Sequence, residues 1–367
     1  MENYSFFMPT KVIHGEKALF DKTEEIAALG QRCLIITGRS SARLSGALDD
    51  VVKILNAGKI TYKHFDGVEN NPSLANVGRG GEMAREFQPD FIIAIGGGSP
   101  LDAAKAVAVL ATNDIEPKQL YTNKFDHLPL SIIAVPTTAG TGSEVTPYSI
   151  LTDPKLETKK SFTVPELFPK IAILDWRYTE SLPINITRDT AVDALSHLVE
   201  GYLSKRATGM SDVFAKSGIE LWGACKKALT TGTLTSTERD NLLVSSALGG
   251  MTISHTGTTL VHALGYSLTY YHDMPHGRAN GVLMAEYLRF TEKDAPGRVK
   301  AVLDLLNLPN IDAFQVLMDD LVGKTPHLSQ GEVSAYAERA MQTRNVEYSR
   351  GDVTKAVLEN ILKESQG

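Results

Sequence analysis

The sequence predicts an α/β domain with a doubly wound parallel sheet, followed by an all-helical domain. In the first half, short apolar β-branched runs alternate with amphipathic helical segments, which is the pattern of a parallel sheet. In the second half, long helical patterns continue without a convincing strand. The chain has 367 residues, of which 43% are hydrophobic and 22% charged, so it is long enough to build two cores.

The predicted sheet rests on five runs that are rich in β-branched and apolar residues. They are residues 6–14, 33–38, 60–65, 91–98 and 131–138. Four segments between them have the length and period of helices, namely residues 16–30, 45–58, 73–87 and 99–112. Such sheets bind ligands at the carboxyl ends of their strands, so the residues that follow each strand are candidates for a binding site.

The change of pattern predicts a domain boundary near residue 180. We expect residues 1–180 to form the α/β domain and residues 181–367 to form the helical domain. Amphipathic helices are predicted at residues 211–229, 239–254 and 352–365, where apolar residues repeat at helical spacing.

Charge and composition argue against several classes of partner. The net charge is −6 and no cluster of Lys and Arg offers a surface for phosphates, so we expect no nucleic acid. No apolar run approaches the roughly 18 residues of a membrane span, and no signal peptide is recognisable, so we expect no membrane. Cys33 and Cys225 are far apart in sequence and are predicted to be reduced interior residues, which fits a cytoplasmic protein.

Four residues of the second half are candidate metal ligands. Asp193 and His197 are four apart in a helical segment, so both side chains are predicted on one helix face. His262 and His276 follow among apolar or glycine-rich neighbours. One carboxylate and three imidazoles suit iron(II) or zinc and leave a coordination position open. The alternative is that these histidines are hydrogen-bonded core residues.

A glycine-rich turn follows the predicted strand at residues 91–98. Gly97, Gly98 and Ser99 lead into a helix that has Asp102 in its first turn. Backbone N–H groups at such a turn can approach a pyrophosphate closely. The segment is not the G-x-G-x-x-G fingerprint, and a plain strand-to-helix turn is the alternative.

A second polar loop follows the next predicted strand. It offers the hydroxyl groups of Thr137, Thr138, Thr141 and Ser143 around two glycines. Two such loops after consecutive strands predict one extended ligand that lies across both.

Coenzyme preference is predicted from the end of the strand at residues 33–38. Dinucleotide folds often place an acidic residue there to bind the adenosine ribose. Here the run is Gly38, Arg39, Ser40 and Ser41, and no Asp or Glu occurs between Glu25 and Asp49. A ribose 2′-phosphate would be tolerated, and Arg39, Ser40 and Ser41 could donate to it, which predicts NADP(H) over NAD(H).

Five motifs together resemble the iron-containing (group III) alcohol dehydrogenase family over essentially the whole chain. They are GGGSPLDAAK, PTTAGTGSEVT, DALSHLVEGY, HALGY and PHG, and their form is closest to members that act on 1,3-propanediol or butanol. The resemblance implies a Rossmann-like dinucleotide-binding domain, a helical metal-binding domain and a homodimer. It implies iron(II), with zinc possible, held by Asp193, His197, His262 and His276, and a nicotinamide coenzyme on both loops, with Lys159 near its ribose.

The chain departs from the family pattern at Tyr266, where many members have another histidine. That departure puts a histidine proton relay in doubt. His272 is a possible substitute, but a partly exposed turn histidine is the preferred interpretation, and we do not count it as catalytic.

The function expected from the residues and the resemblance is metal-dependent hydride transfer between NADP(H) and a short-chain primary alcohol, diol or aldehyde. Two related alternatives are a zinc glycerol dehydrogenase-like oxidoreductase and a dehydroquinate synthase-like lyase. The lyase would need cationic residues around an acidic substrate, whereas residues 255–266 are mostly small, apolar or hydroxylic. A catalytically silent nucleotide-binding protein is the third alternative, and the complete set of four metal ligands speaks against it.

Overall fold

The structure, a computed structural model, describes residues 3–153 and 158–366, and within these the side chains of residues 158 and 159 are not described. The described chain divides into two compact units. The sheet unit comprises residues 8–138, 142–153 and 158–182. The helical unit comprises residues 3–7, 139–141 and 183–366.

The sheet unit is built on a parallel sheet with the strand order β1-β8-β5-β4-β2-β3. Parallel strands that are covered on both faces are continuous apolar runs, and β4 is buried along its whole length. The prediction of a doubly wound α/β domain is confirmed. The strands of this sheet are β1 Lys11–His14, β2 Arg32–Gly38, β3 Thr61–Val68, β4 Phe91–Gly96, β5 Ser131–Pro136 and β8 Ile171–Leu174.

Alternate residues of the central strands β2, β4 and β5 enter two separate cores. Leu34 and Ile36 of β2 belong to the core beneath one set of helices, whereas Cys33 and Ile35 belong to the core on the opposite face. The helices of this unit are α1 Thr23–Ala27, α2 Ser41–Leu44, α3 Ala47–Ala57, α4 Leu74–Phe87 and α5 Gly98–Thr112. Short 3-10 helices lie at Phe20–Lys22, Pro117–Thr122, Ser143–Val145, Pro165–Leu167 and Trp176–Thr179.

Several element predictions in this unit were wrong in extent. The strand predicted at residues 6–14 contains β structure only at Lys11–His14, and the helix predicted at residues 16–30 contains only a 3-10 turn and α1. An antiparallel hairpin of β6 Tyr148–Asp153 and β7 Thr158–Thr163 was not predicted, nor was β8. Strand β8 has four residues, too few for its period to stand out.

The helical unit confirms the predicted all-helical second half. Thr208, Thr235 and Ser329 begin α7, α9 and α14 with capping boxes, which explains where these helices start. Among the described residues, no helix is both long and apolar enough to cross a bilayer. The helices are α6 Ile184–Leu203, α7 Gly209–Ala224, α8 Lys226–Thr231, α9 Ser236–Thr256, α10 Leu260–Tyr271, α11 His276–Glu292, α12 Pro296–Leu305, α13 Ile311–Val322, α14 Gln330–Met341, α15 Arg344–Tyr348 and α16 Lys355–Glu364.

Candidate active site

Helix α6 presents a row of polar side chains on one buried face. Asp193, His197 and Glu200 are spaced three or four residues apart, Ser196 precedes His197, and each of the four is at most 5% exposed. Burying a polar side chain costs free energy, so such groups are buried only where they have hydrogen-bond partners or bind a ligand. The row therefore marks a functional face of the helix.

The two other predicted histidines lie on neighbouring helices. His262 is in the first turn of α10 and is 2% exposed. His276 is the first residue of α11, after Pro275, whose extended backbone starts the helix there. The side chain of His276 is 25% exposed, and it is therefore the most accessible of the four predicted metal-ligand side chains.

The Oδ1 atom of Asp193 lies close to all three predicted histidine ligands, and Asp193, His262 and His276 form the compact part of the cluster. The Oδ1 atom of Asp193 lies 3.9 Å from Nε2 of His197, 3.8 Å from Nε2 of His262 and 3.9 Å from Nε2 of His276. Ligand atoms of Asp193, His262 and His276 lie within 4.8 Å of one another. Donor atoms bound about 2.0–2.2 Å from one metal ion are separated by roughly 3–4 Å, so these residues fit a divalent cation.

The cluster favours an ionised Asp193 but shifts the pKa values of His197 and His262 in opposite directions. Burial alone would raise the pKa of Asp193, but the three imidazoles outweigh it and hold the pKa below its usual value. Burial lowers the pKa of His197, whereas at His262 the carboxylates of Glu200 and Asp193 outweigh burial and raise the pKa. A metal ion binds a carboxylate and neutral imidazoles, so a bound cation would compete with a proton at His262.

Glu200 orients the imidazole of His262. Its Oε2 is hydrogen-bonded to Nδ1 of His262, and its Oε1 accepts from the backbone N–H of Thr259 at 2.7 Å and of Val261 at 3.1 Å. Burial opposes ionisation of Glu200, but His262 and Thr259 together lower its pKa. A carboxylate on Nδ1 leaves the Nε2 lone pair facing Asp193.

Asn280 places an amide group among the same atoms. Its Nδ2 lies 3.0 Å from Oδ1 of Asp193, 3.2 Å from Nε2 of His262 and 3.5 Å from Nε2 of His276. The side chain is fully buried on α11, one turn after His276. Sequence reasoning missed Glu200 and Asn280, although each follows a predicted ligand at a spacing that shares its helix face.

The start of α11 is packed tightly against α6. A Cβ atom at Gly277 would lie 1.7 Å from the carbonyl oxygen of Asp189 and 2.9 Å from Cβ of Asp193. Arg278 adds an ion pair, since its Nε donates to Oδ1 of Asp189 at 3.0 Å. The position of His276 relative to Asp193 is therefore fixed by backbone packing.

Tyr266 and His272 have different surroundings. The ring of Tyr266 stacks on His276, with centroids 5.5 Å apart, and so forms an aromatic wall beside the cluster. Nε2 of His272 lies 3.0 Å from the hydroxyl oxygen of Tyr336 and 3.6 Å from Glu332, away from the four converging side chains.

The first glycine loop lies where β4 ends and α5 begins. Gly97 precedes α5, and Gly98 and Ser99 are its first residues. The Oγ of Ser99 accepts from the backbone N–H of Asn71 at 3.2 Å. A Cβ atom at Gly97 would lie 3.1 Å from Oγ1 of Thr138, so the first loop touches the second.

The second loop is divided between the two units. Thr137, Thr138 and Ser143 belong to the sheet unit, whereas Thr141 belongs to the helical unit. The backbone N–H of Thr137 donates to the carbonyl of Gly96 at 2.9 Å. The Oγ of Ser143 donates to Oδ1 of Asp102 at 2.5 Å, so these two predicted site residues are bonded to each other.

In residues 139–141, Gly140 packs directly on α6. A Cβ at that position would lie 2.8 Å from Cβ and 2.9 Å from the carbonyl oxygen of Thr190. Only a glycine fits this approach without displacing the helix.

The remaining predicted coenzyme residues follow β2, beside the first loop, or lie in β7; a Cβ atom at Gly38 would be 3.8 Å from Pro100. Gly38 ends β2, Arg39 and Ser40 are exposed, and Ser41 begins α2. The backbone of Lys159 lies in β7 opposite Thr152, while its side chain lies outside the described residues.

Comparisons with known proteins identify the family. The family model described as iron-containing alcohol dehydrogenase matches residues 9–176, and its carboxyl-terminal counterpart matches residues 187–365. The 1,3-propanediol dehydrogenase of Klebsiella pneumoniae is 33% identical, covering 80% of this chain and 78% of that one. The NADPH-dependent butanol dehydrogenase of Clostridium saccharobutylicum is 28% identical, covering 89% and 83%.

A solved structure supports the same assignment. The iron-containing alcohol dehydrogenase of Thermotoga maritima is 39% identical, covers 99% of each chain and superposes with a TM-score of 0.91. The family implies iron and a nicotinamide coenzyme. The chain belongs to the iron-containing alcohol dehydrogenase family and is an NAD(P)-dependent alcohol dehydrogenase.

Proposed function

We propose that the chain transfers hydride between NADP(H) and a short-chain primary alcohol, diol or aldehyde, using iron(II) bound by Asp193, His197, His262 and His276. The observation that carries this proposal is the convergence of three imidazole Nε2 atoms to within 3.9 Å of Oδ1 of Asp193. When bound, the metal supplies Lewis acidity that polarises the carbon–oxygen bond of the substrate.

The surrounding residues prepare the site for this chemistry. Glu200 holds Nδ1 of His262, which leaves Nε2 available to the metal. The side chains of Asp193, His197 and His262 are buried, which limits water around them, while the partly exposed His276 gives access to the cluster. The ring of Tyr266 beside His276 gives this side an aromatic wall, which suits the carbon chain of a small alcohol.

We propose that one part of the chain binds the coenzyme and the other binds the metal. Residues 1–180 bind the coenzyme through Gly97, Gly98 and Ser99 of the first loop and the threonines of the second loop, with Lys159 near the nicotinamide ribose. Residues 181–367 hold the metal. Backbone N–H groups at the start of α5 favour a pyrophosphate at the first loop.

The proposed preference for NADP(H) rests on Gly38, Arg39, Ser40 and Ser41. Residues 38–41, which end and follow β2, contain no Asp or Glu that could repel a 2′-phosphate, and Arg39 and Ser40 are exposed. The similar butanol dehydrogenase of Clostridium saccharobutylicum is NADPH-dependent, which supports the same preference here.

We also propose that the protein is a cytoplasmic homodimer. Cys33 and Cys225 are buried free thiols, as expected in a reducing compartment. The rings of Tyr4 and Phe7 near the amino terminus are 50% and 55% exposed, and burial of such apolar side chains favours association. Light scattering coupled to gel filtration measures the mass, and a monomer at micromolar concentration would contradict the dimer.

The function is tested with a panel of short alcohols, diols and aldehydes, each with NADP(H) and NAD(H), after loading with iron(II), zinc or chelator. We expect metal-dependent turnover of short primary substrates, faster with NADP(H). The matched variant is His262→Ala, which should lose metal and activity while retaining coenzyme binding. Full turnover of that variant in chelator would disprove the proposal.

A further inference from the structure

Lys105 is a fully buried lysine in the middle of α5. Its Nζ donates to Oγ of Ser143 at 2.7 Å, to the carbonyl of Ser143 at 2.9 Å and to the carbonyl of Tyr148 at 2.7 Å. A lysine ammonium has three protons, so each of them has an acceptor. Helix α5 starts at the first glycine loop. Lys105 therefore links this helix by hydrogen bonds to residues 143–148, which end and follow the second loop.

Asp102, one turn before Lys105, makes a parallel set of bonds to the same segment. Its Oδ1 accepts from Oγ of Ser143 at 2.5 Å, and its Oδ2 accepts from the backbone N–H of Ile150 at 3.0 Å. Its backbone carbonyl accepts from Oγ of Ser149 at 2.7 Å. Nζ of Lys105 also lies 3.7 Å from Oδ1 of Asp102, so Lys105, Asp102 and Ser143 all contact one another. We call these three residues the joint.

The buried charges of Lys105 and Asp102 stabilise the joint only when both are present. A buried ammonium is costly unless its protons are bonded and an opposite charge lies nearby. Burial lowers the pKa of Lys105 to about 8, while Asp102 and Glu144 act in the opposite direction. Removing Lys105 or Asp102 would leave the other charge buried without its partner, and removing the hydroxyl of Ser143 would take a hydrogen bond from both, so the contacts among the three residues should weaken together.

The two loops also meet above the joint. The backbone N–H of Thr137 donates to the carbonyl of Gly96, and Thr138 lies against Gly97. These contacts are few and local, whereas the bonds of Lys105 and Asp102 fix the part of the second loop that runs into β6 Tyr148–Asp153.

We propose that Lys105 is a positioning residue for coenzyme binding, which holds the two loops at the spacing that one nicotinamide coenzyme requires. Asp102 and Ser143 then serve in this joint and do not contact the coenzyme. The inference rests on the proposed function, because it assumes that the coenzyme lies across both loops.

The test compares the full-length protein with Lys105→Met, which keeps an unbranched side chain only one atom shorter and removes its three donors. Titration of NADPH fluorescence measures the dissociation constant, and elemental analysis measures bound iron. We expect affinity for NADPH to fall about tenfold or more with iron content unchanged. The Michaelis constant for coenzyme should rise while that for alcohol stays the same. The control is Lys53→Met, since Lys53 of α3 is 66% exposed.

A second pair of variants keeps the inference testable if Lys105→Met does not fold. Ser143→Ala should weaken NADPH binding several-fold, and Ser143→Thr, which retains a hydroxyl, should restore it. Where Lys105→Met folds, adding Ser143→Ala should change the affinity by less than about twofold, because both act through one joint.

The outcomes separate the two proposals. If the wild-type protein binds NADPH and Lys105→Met and Ser143→Ala bind it equally well, the joint has no role in positioning and the inference is overturned. Additive losses in the double variant would overturn it too, since they indicate independent contacts. If the wild-type protein binds neither NADPH nor NADH, the proposed function itself fails, and the joint has no coenzyme to position.

Discussion

Nδ1 of His262 is hydrogen-bonded to the carboxylate of Glu200, and both side chains are buried. Because the carboxylate selects one tautomer, Glu200→Gln should weaken metal binding even though the side chain keeps its size. We expect roughly a 10- to 100-fold loss of iron(II) affinity, measured by competition with a metal indicator. Glu220→Gln is the control, since Glu220 is exposed on α7. Equal affinities of wild type and Glu200→Gln would show that the hydrogen bond does not set the ligand geometry.

Gly277→Ala tests the packing that places His276. The added methyl group would lie 1.7 Å from the carbonyl oxygen of Asp189, so the start of α11 must shift. We expect a loss of about 1–3 kcal/mol in unfolding free energy and a clear loss of bound iron. Gly297→Ala in α12 is the matched control, because nothing lies within 4 Å of a Cβ there. An iron content equal to wild type in Gly277→Ala would contradict this explanation.

Gly38→Asp tests the basis of coenzyme preference. A Cβ at Gly38 would meet only ordinary contacts, 3.7 Å from the carbonyl oxygen of Val68 and 3.8 Å from Pro100, so the substitution fits without strain. The new carboxylate should repel a 2′-phosphate and accept from ribose hydroxyls, shifting the ratio of kcat/KM for NADPH over NADH by about tenfold or more toward NADH. Gly38→Asn adds the same bulk without charge and should change the ratio much less. An unchanged ratio in Gly38→Asp would argue against this determinant.

The raised pKa of Glu144 predicts that the stability of the protein depends on pH. Burial raises its pKa from 4.5 to about 7, so between these values the folded state binds more protons than the unfolded state. Its contribution to stability therefore falls as pH rises from 4.5 to 7, and the full penalty remains above 7. Glu144→Gln cannot ionise, and its unfolding free energy should exceed that of wild type by about 3 kcal/mol at pH 8 but not at pH 4.

Urea unfolding at both pH values measures this difference. Glu82→Gln on the exposed side of α4 serves as the control and should behave like wild type at each pH. A Glu144→Gln variant that is no more stable than wild type at pH 8 would mean that the buried carboxyl is not destabilised by its surroundings.

The sequence predicted the alternation of strands and helices because both have periods that appear within a few residues. It failed where an element was too short for its period to show, as in β8 Ile171–Leu174, and it also missed the β6–β7 hairpin, whose two strands have six residues each. Tertiary context decided these cases.

The candidate site shows the same division. Spacing along α6 predicted that Asp193 and His197 share a face, and the structure brings His262 and His276 to the same point. Glu200 and Asn280 were missed because their partners lie on other helices. Lys105 was passed over because a lysine within an alanine-rich helix usually reaches solvent, whereas here it is enclosed by bonds to residues more than 35 positions away.

The grouping of residues 3–7 and 139–141 with the helical unit has a consequence for dissecting the protein. Phe6 stacks on His255, with ring centroids 4.5 Å apart. Gly140 packs on the backbone of Thr190, three residues before Asp193. A fragment that begins at residue 183 would leave both places bare to solvent. A carboxyl-terminal fragment expressed separately is therefore incomplete. A fragment that reproduces the helical unit has to include residues 3–7 and 139–141.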